Sequence, residues 1–283
     1  MAHWSPSHIF HPTDFTEDDY VAFAHALRIT VGTKGELCLL HCGEAEDSVH
    51  WEHFPHVRKT LAAWGWVDDD KGAKGLHALG ISCSKVQLNE RKAVSAVLHY
   101  IETHRPDLAV MKTHQRSGLA HLLDPSVGLP IARHSGVPTL FLPSHIEGFV
   151  DAETGRVTLR RILIPVQDGL RSQAAIRAAE ALALAVDATR VHLTLLYGDK
   201  REDEHDVSAP AREGWETEKL EIKGNPMDAV AEVAAERAID LIVVRTPGVC
   251  GLFDALIGTP VERLIAHSEC AVLAIPRSKD GHS

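Results

Sequence analysis

The chain has 283 residues, which at about 100–200 residues per domain is one large domain or two ordinary ones. Its 45% apolar and 24% charged residues exclude whole-chain disorder and collagen-like structure, and no apolar run reaches the roughly 18 uncharged residues that a membrane helix needs. Lys and Arg number 29 against 39 Asp and Glu, and the net charge of −10 argues against nonspecific binding to nucleic acid or to an anionic membrane surface.

Short apolar runs alternate with longer segments of helical period. In the first half the pattern predicts strands at His8–Pro12, Glu36–Cys42, about Ser82–Gln87, about Leu108–Lys112 and about Thr139–Leu142. The intervening helices are expected near Asp18–Val31, His53–Gly65, Ala93–His104 and Ser126–Ser135, with Pro55 in the first turn of the second helix. Asp, Gly and Lys crowd Asp68–Gly75, which reads as an exposed loop. In the second half the strands are expected at Arg161–Val166, Val191–Tyr197, about Glu216–Ile222, Leu241–Arg245 and Ala271–Ile275. Helices are expected near Arg171–Ala185, Pro226–Ala238 and Pro260–His267.

The halves repeat one pattern. Ile9-Phe10-His11-Pro12 returns as Ile162-Leu163-Ile164-Pro165, Asp107-Leu108-Ala109-Val110 as Asp240-Leu241-Ile242-Val243, and Val137-Pro138-Thr139-Leu140 as Cys270-Ala271-Val272-Leu273. The first copy carries about 20 extra residues between its first and fourth strands. Gly148, Asp151, Glu153, Thr154 and Gly155 give loop chemistry at the join. The expected organisation is a first domain over 1–147, a linker over 148–160 and a second domain over 161–283. Continuously apolar strands separated by helices imply parallel strands buried on both faces, hence an α/β fold of two doubly wound three-layer domains.

Met1-Ala2-His3-Trp4-Ser5-Pro6 has no basic or apolar region of a signal peptide. Five cysteines without a CxxC, two of them (Cys38 and Cys42) on one face of a strand, read as buried thiols. A cytoplasmic protein is therefore expected.

These runs resemble the universal stress protein family in its tandem two-domain form. In the first half the resemblance is carried by Pro12-Thr13-Asp14-Phe15-Thr16, Leu39-Leu40-His41 and Thr113-His114-Gln115-Arg116-Ser117-Gly118-Leu119. In the second it is carried by Ile162-Leu163-Ile164-Pro165-Val166, Gly224-Asn225-Pro226, Asp240-Leu241-Ile242-Val243-Val244 and Gly248 to Gly258-Thr259. The resemblance implies a five-stranded parallel sheet per domain (adenine nucleotide alpha hydrolase-like), the last strand pairing across a dimer that a tandem chain forms internally as a pseudo-dimer. Some members of that family bind ATP or AMP. Their motif is Gly, two residues, Gly, nine residues, then Gly-Ser or Gly-Thr, with an acidic residue ending the first strand. Glycines let backbone N–H groups approach phosphates, and a hydroxyl at the next helix start adds a donor.

Carried over residue by residue, the motif is uneven. The first half keeps Asp14 and Ser126, but its glycine positions hold Lys112, Gln115 and Pro125, and Pro125 has no N–H to give. With His114 beside them, Asp14 and Ser126 mark a degenerate site. The second half keeps Gly224, Gly248, Gly258 and Thr259. It departs at Gln167, which can still hydrogen-bond a ribose or base edge, and at Arg245, which can fill the pocket or meet a phosphate. The expected nucleotide site is therefore Gln167, Arg245, Gly248, Gly258, Thr259 and Gly224, for ATP or AMP.

Histidine is the compositional oddity: of 19, 15 fall in residues 1–150. His11, His41 and His114 are expected at the carboxyl edge of the first sheet, where with Asp14 they are metal-ligand candidates of zinc type, against a plain loop-edge reading. His50, His53 and His56 accompany an aromatic patch of Trp51, Phe54, Trp64 and Trp66, which suits a core, a subunit interface or a cover over the crevice. His99 and His104 flank a helix and are expected in solvent.

No GxSxG, HExxH or complete P-loop occurs, so slow ATP hydrolysis is the most the chain promises as an enzyme. Three functional readings remain: a nucleotide-responsive stress factor with an unidentified protein partner, a nucleotide-free dimerisation and interaction scaffold, and a metal-binding variant.

Overall fold

The computed structural model describes residues 4–13, 15–42, 56–68, 73–88, 93–113, 136–166, 169–199, 207–246 and 260–276. The apolar runs become ten strands: β1 (His8–Pro12), β2 (Glu36–Cys42), β3 (Ser82–Leu88), β4 (Leu108–Thr113), β5 (Thr139–Pro143), β6 (Arg161–Val166), β7 (Val191–Tyr197), β8 (Trp215–Glu221), β9 (Leu241–Arg245) and β10 (Ala271–Ile275). Between them lie α1 (Tyr20–Thr33), α2 (Val57–Ala63), α3 (Ala73–Ala78), α4 (Ala93–His104), α5 (Gly169–Ala185), α6 (Pro226–Glu236) and α7 (Pro260–His267).

All ten strands share one sheet, in the order β3-β2-β1-β4-β5-β10-β9-β6-β7-β8. Every pairing is parallel except the central one, where β10 runs antiparallel to β5 with Leu273 opposite Leu140. Each half is thus the five-stranded parallel sheet expected, and the two halves pair within one chain. Successive side chains of a strand point to opposite faces. Ile9, Leu37, Leu39, Val110, Ile164 and Leu193 go to one core with α1 and α5, while Phe10, Leu40, Met111, Leu163 and Val244 go to the other with α4, α6 and α7. Both cores run unbroken across the two halves, so the three layers are continuous.

The repeated aspartates explain why the repeat is visible. Asp107 Oδ2 accepts the backbone N–H of Ser7 and of His8 and the Ser7 hydroxyl, each at 2.9 Å, and so pins the start of β1 to the start of β4. Asp240 Oδ2 does the same for β6, accepting the N–H of Arg160 at 2.7 Å and of Arg161 at 2.8 Å.

The first half departs from the sequence-based expectations around its insertion. The loop expected over Asp68–Gly75 gives way to α3 from Ala73 onward, and Gly75 is buried with its Cα close against the Val67 side chain. Small residues at that contact let a short helix pack where composition suggested solvent. The helix expected from His53 begins in the described residues at Val57, with His56 extended as its N-cap (φ −75°, ψ 126°); His53 and Pro55 lie outside the described residues. Helix Ser126–Ser135 lies outside the described residues.

The join also has more structure than its composition suggests. Val150 bridges Val157 antiparallel, Thr158 N–H donates to Phe149 O at 2.9 Å, and Phe149, Val150 and Leu159 are buried. Trp64 Nε1 donates to Ala152 O at 3.0 Å, and Trp66 meets Trp64 edge-on at 5.2 Å. Of the four predicted patch aromatics, Trp64 therefore fastens the connector and Trp66 packs beside it; Trp51 and Phe54 lie outside the described residues.

Helices α1 and α5 touch on one face of the shared sheet. Arg28 crosses the contact, donating to Val186 O at 2.9 Å and Asp187 Oδ2 at 2.7 Å, with its guanidinium 5.2 Å from the Trp66 ring. A Cβ on Gly32 would collide with the Ala185 carbonyl, so only glycine admits this approach. Gly32→Ala is expected to cost about 1–3 kcal/mol by forcing the helices apart, read as a lower denaturant midpoint; an unchanged midpoint would show that the contact is slack.

Asp107 supplies a pH test. Partial burial works against its charge, but the bonds from Ser7 and His8 outweigh it and hold the carboxyl below its usual range. A carboxylate lowered in the fold adds stability above its unfolded value near 3.9 and loses it as pH falls through the folded value. The stability gap between wild type and Asp107→Asn is therefore expected to shrink below about pH 4; a gap constant from pH 7 to 3 would contradict this.

Candidate functional site

In a doubly wound sheet ligands bind beyond the carboxyl ends of the strands, where the strand order reverses. β1 is that point in the first half, flanked by β2 and β4, and β6 in the second, flanked by β7 and β9.

In the first half the turn after β1 is tied down from both neighbours. From β2, His41 places Nδ1 2.8 Å from the Thr13 carbonyl, and its ring stacks on Phe15 at 4.1 Å. Phe15 sits at φ +62°, an uncommon conformation for a bulky residue, with its N–H on Thr13 Oγ1 at 3.1 Å. From β4, Lys112 donates from Nζ to Thr16 Oγ1 at 2.5 Å. The cation standing where the resemblance wants a glycine thus bridges the β1–β4 crevice.

Below this turn His11 is wholly buried. Its Nδ1 lies 2.9 Å from the Val110 carbonyl of β4, and its Nε2 lies 3.4 Å from Asp19 Oδ2, itself buried at the start of α1. His11 and His41 do reach the carboxyl edge, as expected, but each spends one ring nitrogen on a backbone carbonyl and they serve different contacts. Among the described residues no three His, Cys, Asp or Glu side chains group as metal ligands. Asp14, His114 and Ser126 lie outside the described residues. His99 and His104 are exposed, His104 stacking on Tyr100 at 3.9 Å.

The second half builds its carboxyl edge differently. Asp199 Oδ2 accepts the Gly224 N–H at 2.8 Å while Asp199 N–H donates to Gly224 O at 3.2 Å, locking the turn after β7 to the turn after β8. A side chain on Gly198 would strike the Gly224 carbonyl. Gly224 itself has φ +89° and open space beside its Cα. Asn225 then caps α6, accepting the Met227 N–H at 3.0 Å, with Pro226 in the first turn. Arg245 ends β9 half-buried, opposite Ile275. Helix α7 opens at Pro260. Gln167, Gly248, Gly258 and Thr259 lie outside the described residues, so of the six expected nucleotide-site residues the structure places Gly224 and Arg245.

Two open clefts, of about 460 Å³ and 310 Å³, lie elsewhere. One is lined by His8, Lys34, Glu36 and His77, the other by Arg160, Asp187 and Arg190, both at the amino edge. They occupy matching places in the two halves, beside the ends of α1 and α5, and so belong to the fold rather than to the switch points. Two of the thiols are poor nucleophiles: burial pushes Cys83 and Cys270 up to about 11.

Sequence reading missed the Lys112–Thr16 and His11–Asp19 pairs. The first had a signal in the sequence, a long cation in a glycine position; the second joins residues eight apart across a turn, which no periodicity reports.

Comparison with known proteins agrees with this architecture. The profile of the universal stress protein family matches residues 7–143 and 192–276. A universal stress protein of Methanocaldococcus jannaschii is 40% identical over 63 residues, which is 22% of this chain and 36% of that protein, so the match spans about a third of the curated relative. The fold is similar to that of a universal stress protein from Archaeoglobus fulgidus, with a TM-score of 0.60 over 96% of this chain and 99% of the other at 14% identity. It is also similar to that of a functionally unknown protein from Pseudomonas aeruginosa PAO1, with a TM-score of 0.62 over 97% and 94% at 15% identity. With both halves matched and the two sheets joined through β5 and β10, the chain belongs to the universal stress protein family in its tandem form.

Proposed function

We propose that this tandem universal stress protein is a cytoplasmic stress-response factor that binds ATP or AMP in its second half, at the carboxyl edge between β6 and β9. Residues 1–147 and 161–283 are its two domains, joined by 148–160. The observation that carries the reading is the contrast between the carboxyl edges of the two halves. The first is bridged by Lys112 and Thr16. On the carboxyl edge of the second half, the turn after β8 is preformed at Gly224, with open space beside its Cα and the capped start of α6 behind it.

The residues fit a nucleotide. Gly248, Gly258 and Thr259 keep the spacing of a phosphate loop, and Thr259 directly precedes α7, where a hydroxyl and a helix N-terminus both favour an anion. Arg245 stands where the loop departs from glycine, and its guanidinium supplies a cation for a phosphate. Gln167 offers an amide to a ribose or base edge. Domain one, with its crevice bridged, serves as the diverged partner and regulatory surface.

The interaction-scaffold reading has its own support: long cations fill the first glycine position in both halves, Lys112 and Arg245. Calorimetry with ATP and with AMP on the intact protein and on Gly258→Arg separates the two. Nucleotide binding predicts a higher Tm for wild type, by about 2.7 kcal/mol of added stability at a hundred times Kd, and none for Gly258→Arg. If neither nucleotide shifts the wild-type Tm at millimolar concentration, the nucleotide reading fails and the scaffold stands.

A further inference from the structure

His25 lies in the middle of α1 with no exposed surface. Its Nδ1 is 2.8 Å from the Val21 carbonyl, one turn back along the helix. Its Nε2 faces two donors at once, the backbone N–H groups of Phe149 and Val150, each at 3.0 Å. Two N–H groups aimed at one ring nitrogen require a lone pair there, so the proton sits on Nδ1 and the ring is neutral. The Phe149 ring closes over the imidazole edge-on at 4.6 Å, and Gly148, at φ +69°, brings the backbone so near that a Cβ would collide with the imidazole.

The same connector is closed at its tip by Trp64, through the bond to Ala152 O and the packing of Gly155 on the indole. It is therefore a short hairpin fastened to the first half at two side chains. Its own bonds, Asp151 N–H to Arg156 O and Thr158 N–H to Phe149 O at 2.9 Å, hold it as one piece.

We propose that this connector is an acid-released latch: protonation of His25 replaces the one acceptor shared by Phe149 and Val150 with a third donor, and the hairpin lifts from α1. The charged groups nearby are engaged elsewhere or exposed. Arg28, on the same face of α1, is bound to Val186 and Asp187, and Asp151 on the connector accepts the amides of Glu153 and Thr154. His145 and Glu147, which lead into the hairpin, are exposed. The β5–β10 pairing and the Arg28 contact do not involve His25, so the halves stay docked while the latch opens. Opening bares Phe149 and Val150, apolar residues now sealed from water.

Burial holds the closed-state imidazole down to about 4, against 6.5 for a free one. The latch is thus fully closed above 6.5 and loses protection as pH falls toward 4. The opening equilibrium should rise by up to about tenfold per pH unit, roughly 80-fold from pH 6.5 to pH 4.

Hydrogen exchange on the full chain, corrected for intrinsic rate, tests this. The Phe149 and Val150 amides should lose protection by that factor between pH 6.5 and 4, while Thr158, bonded within the hairpin, Leu140 in β5 and Leu273 in β10 keep theirs. His25→Gln should make connector protection independent of pH. If that variant does not fold, the ring resonances of wild-type His25 decide: they should titrate together with the loss of connector protection. Flat connector protection, or a loss shared equally by β5 and β10, would overturn the proposal.

Discussion

Strands β5 and β10 meet antiparallel at the centre of the sheet, through Thr139, Leu140 and Phe141 against Ala274, Leu273 and Val272. A five-stranded parallel sheet with both faces covered leaves its last strand apolar on both sides and unpaired along one edge. Such an edge invites another chain. Here the second copy of the fold supplies the missing strand from within the chain, and the packing around it follows. The pairing sets α1 and α5 side by side, which is why Gly32 must be glycine and why Arg28 can reach the end of α5. It also runs the two hydrophobic cores through from one half to the other.

Joining two halves this way imposes a second requirement. The chain must travel from β5, central in the sheet, to β6, which lies beyond β10 and β9 in the other half. A free loop would lose that path to entropy. The insertion of the first half supplies a surface instead. Trp64 and Trp66 follow α2, one bonding the connector and the other lying under Arg28, so the extra residues of the first copy bind the join and the helix contact together. Of the predicted aromatic patch, Trp64 fastens the connector, and Trp66 packs between Trp64 and Arg28.

Strands were legible because a parallel sheet buries both faces and writes its strands as unbroken apolar runs; β1, β2, β6, β7, β9 and β10 end where those runs end. α3 was not, since Asp, Lys and Gly dominate its approach and the helix has only six residues of its own. The repeated aspartates were visible as sequence, but their task, clamping the amides that open β1 and β6, is a contact between segments about 80 to 100 residues apart. The candidate site divided the same way. Glycine spacing pointed to the second half, whereas the closure of the first half depends on Lys112 meeting Thr16 and His41 meeting Thr13, which only the fold brings together.

Three histidines of the first half have a clear physical basis. His11, His25 and His41 each direct Nδ1 at a backbone carbonyl, and their other faces meet, respectively, a buried carboxylate, two backbone amides and an aromatic ring. Imidazole suits these places because one ring carries a donor, an acceptor and an apolar face into a tight space. A lysine or glutamate would bring a charge that burial penalises, and a leucine would leave amides unpaired. In His25 the cost is a dependence on remaining neutral. The first copy has thus traded an open crevice for polar fastenings, and its fastenings are built from the side chain whose charge changes nearest neutral pH.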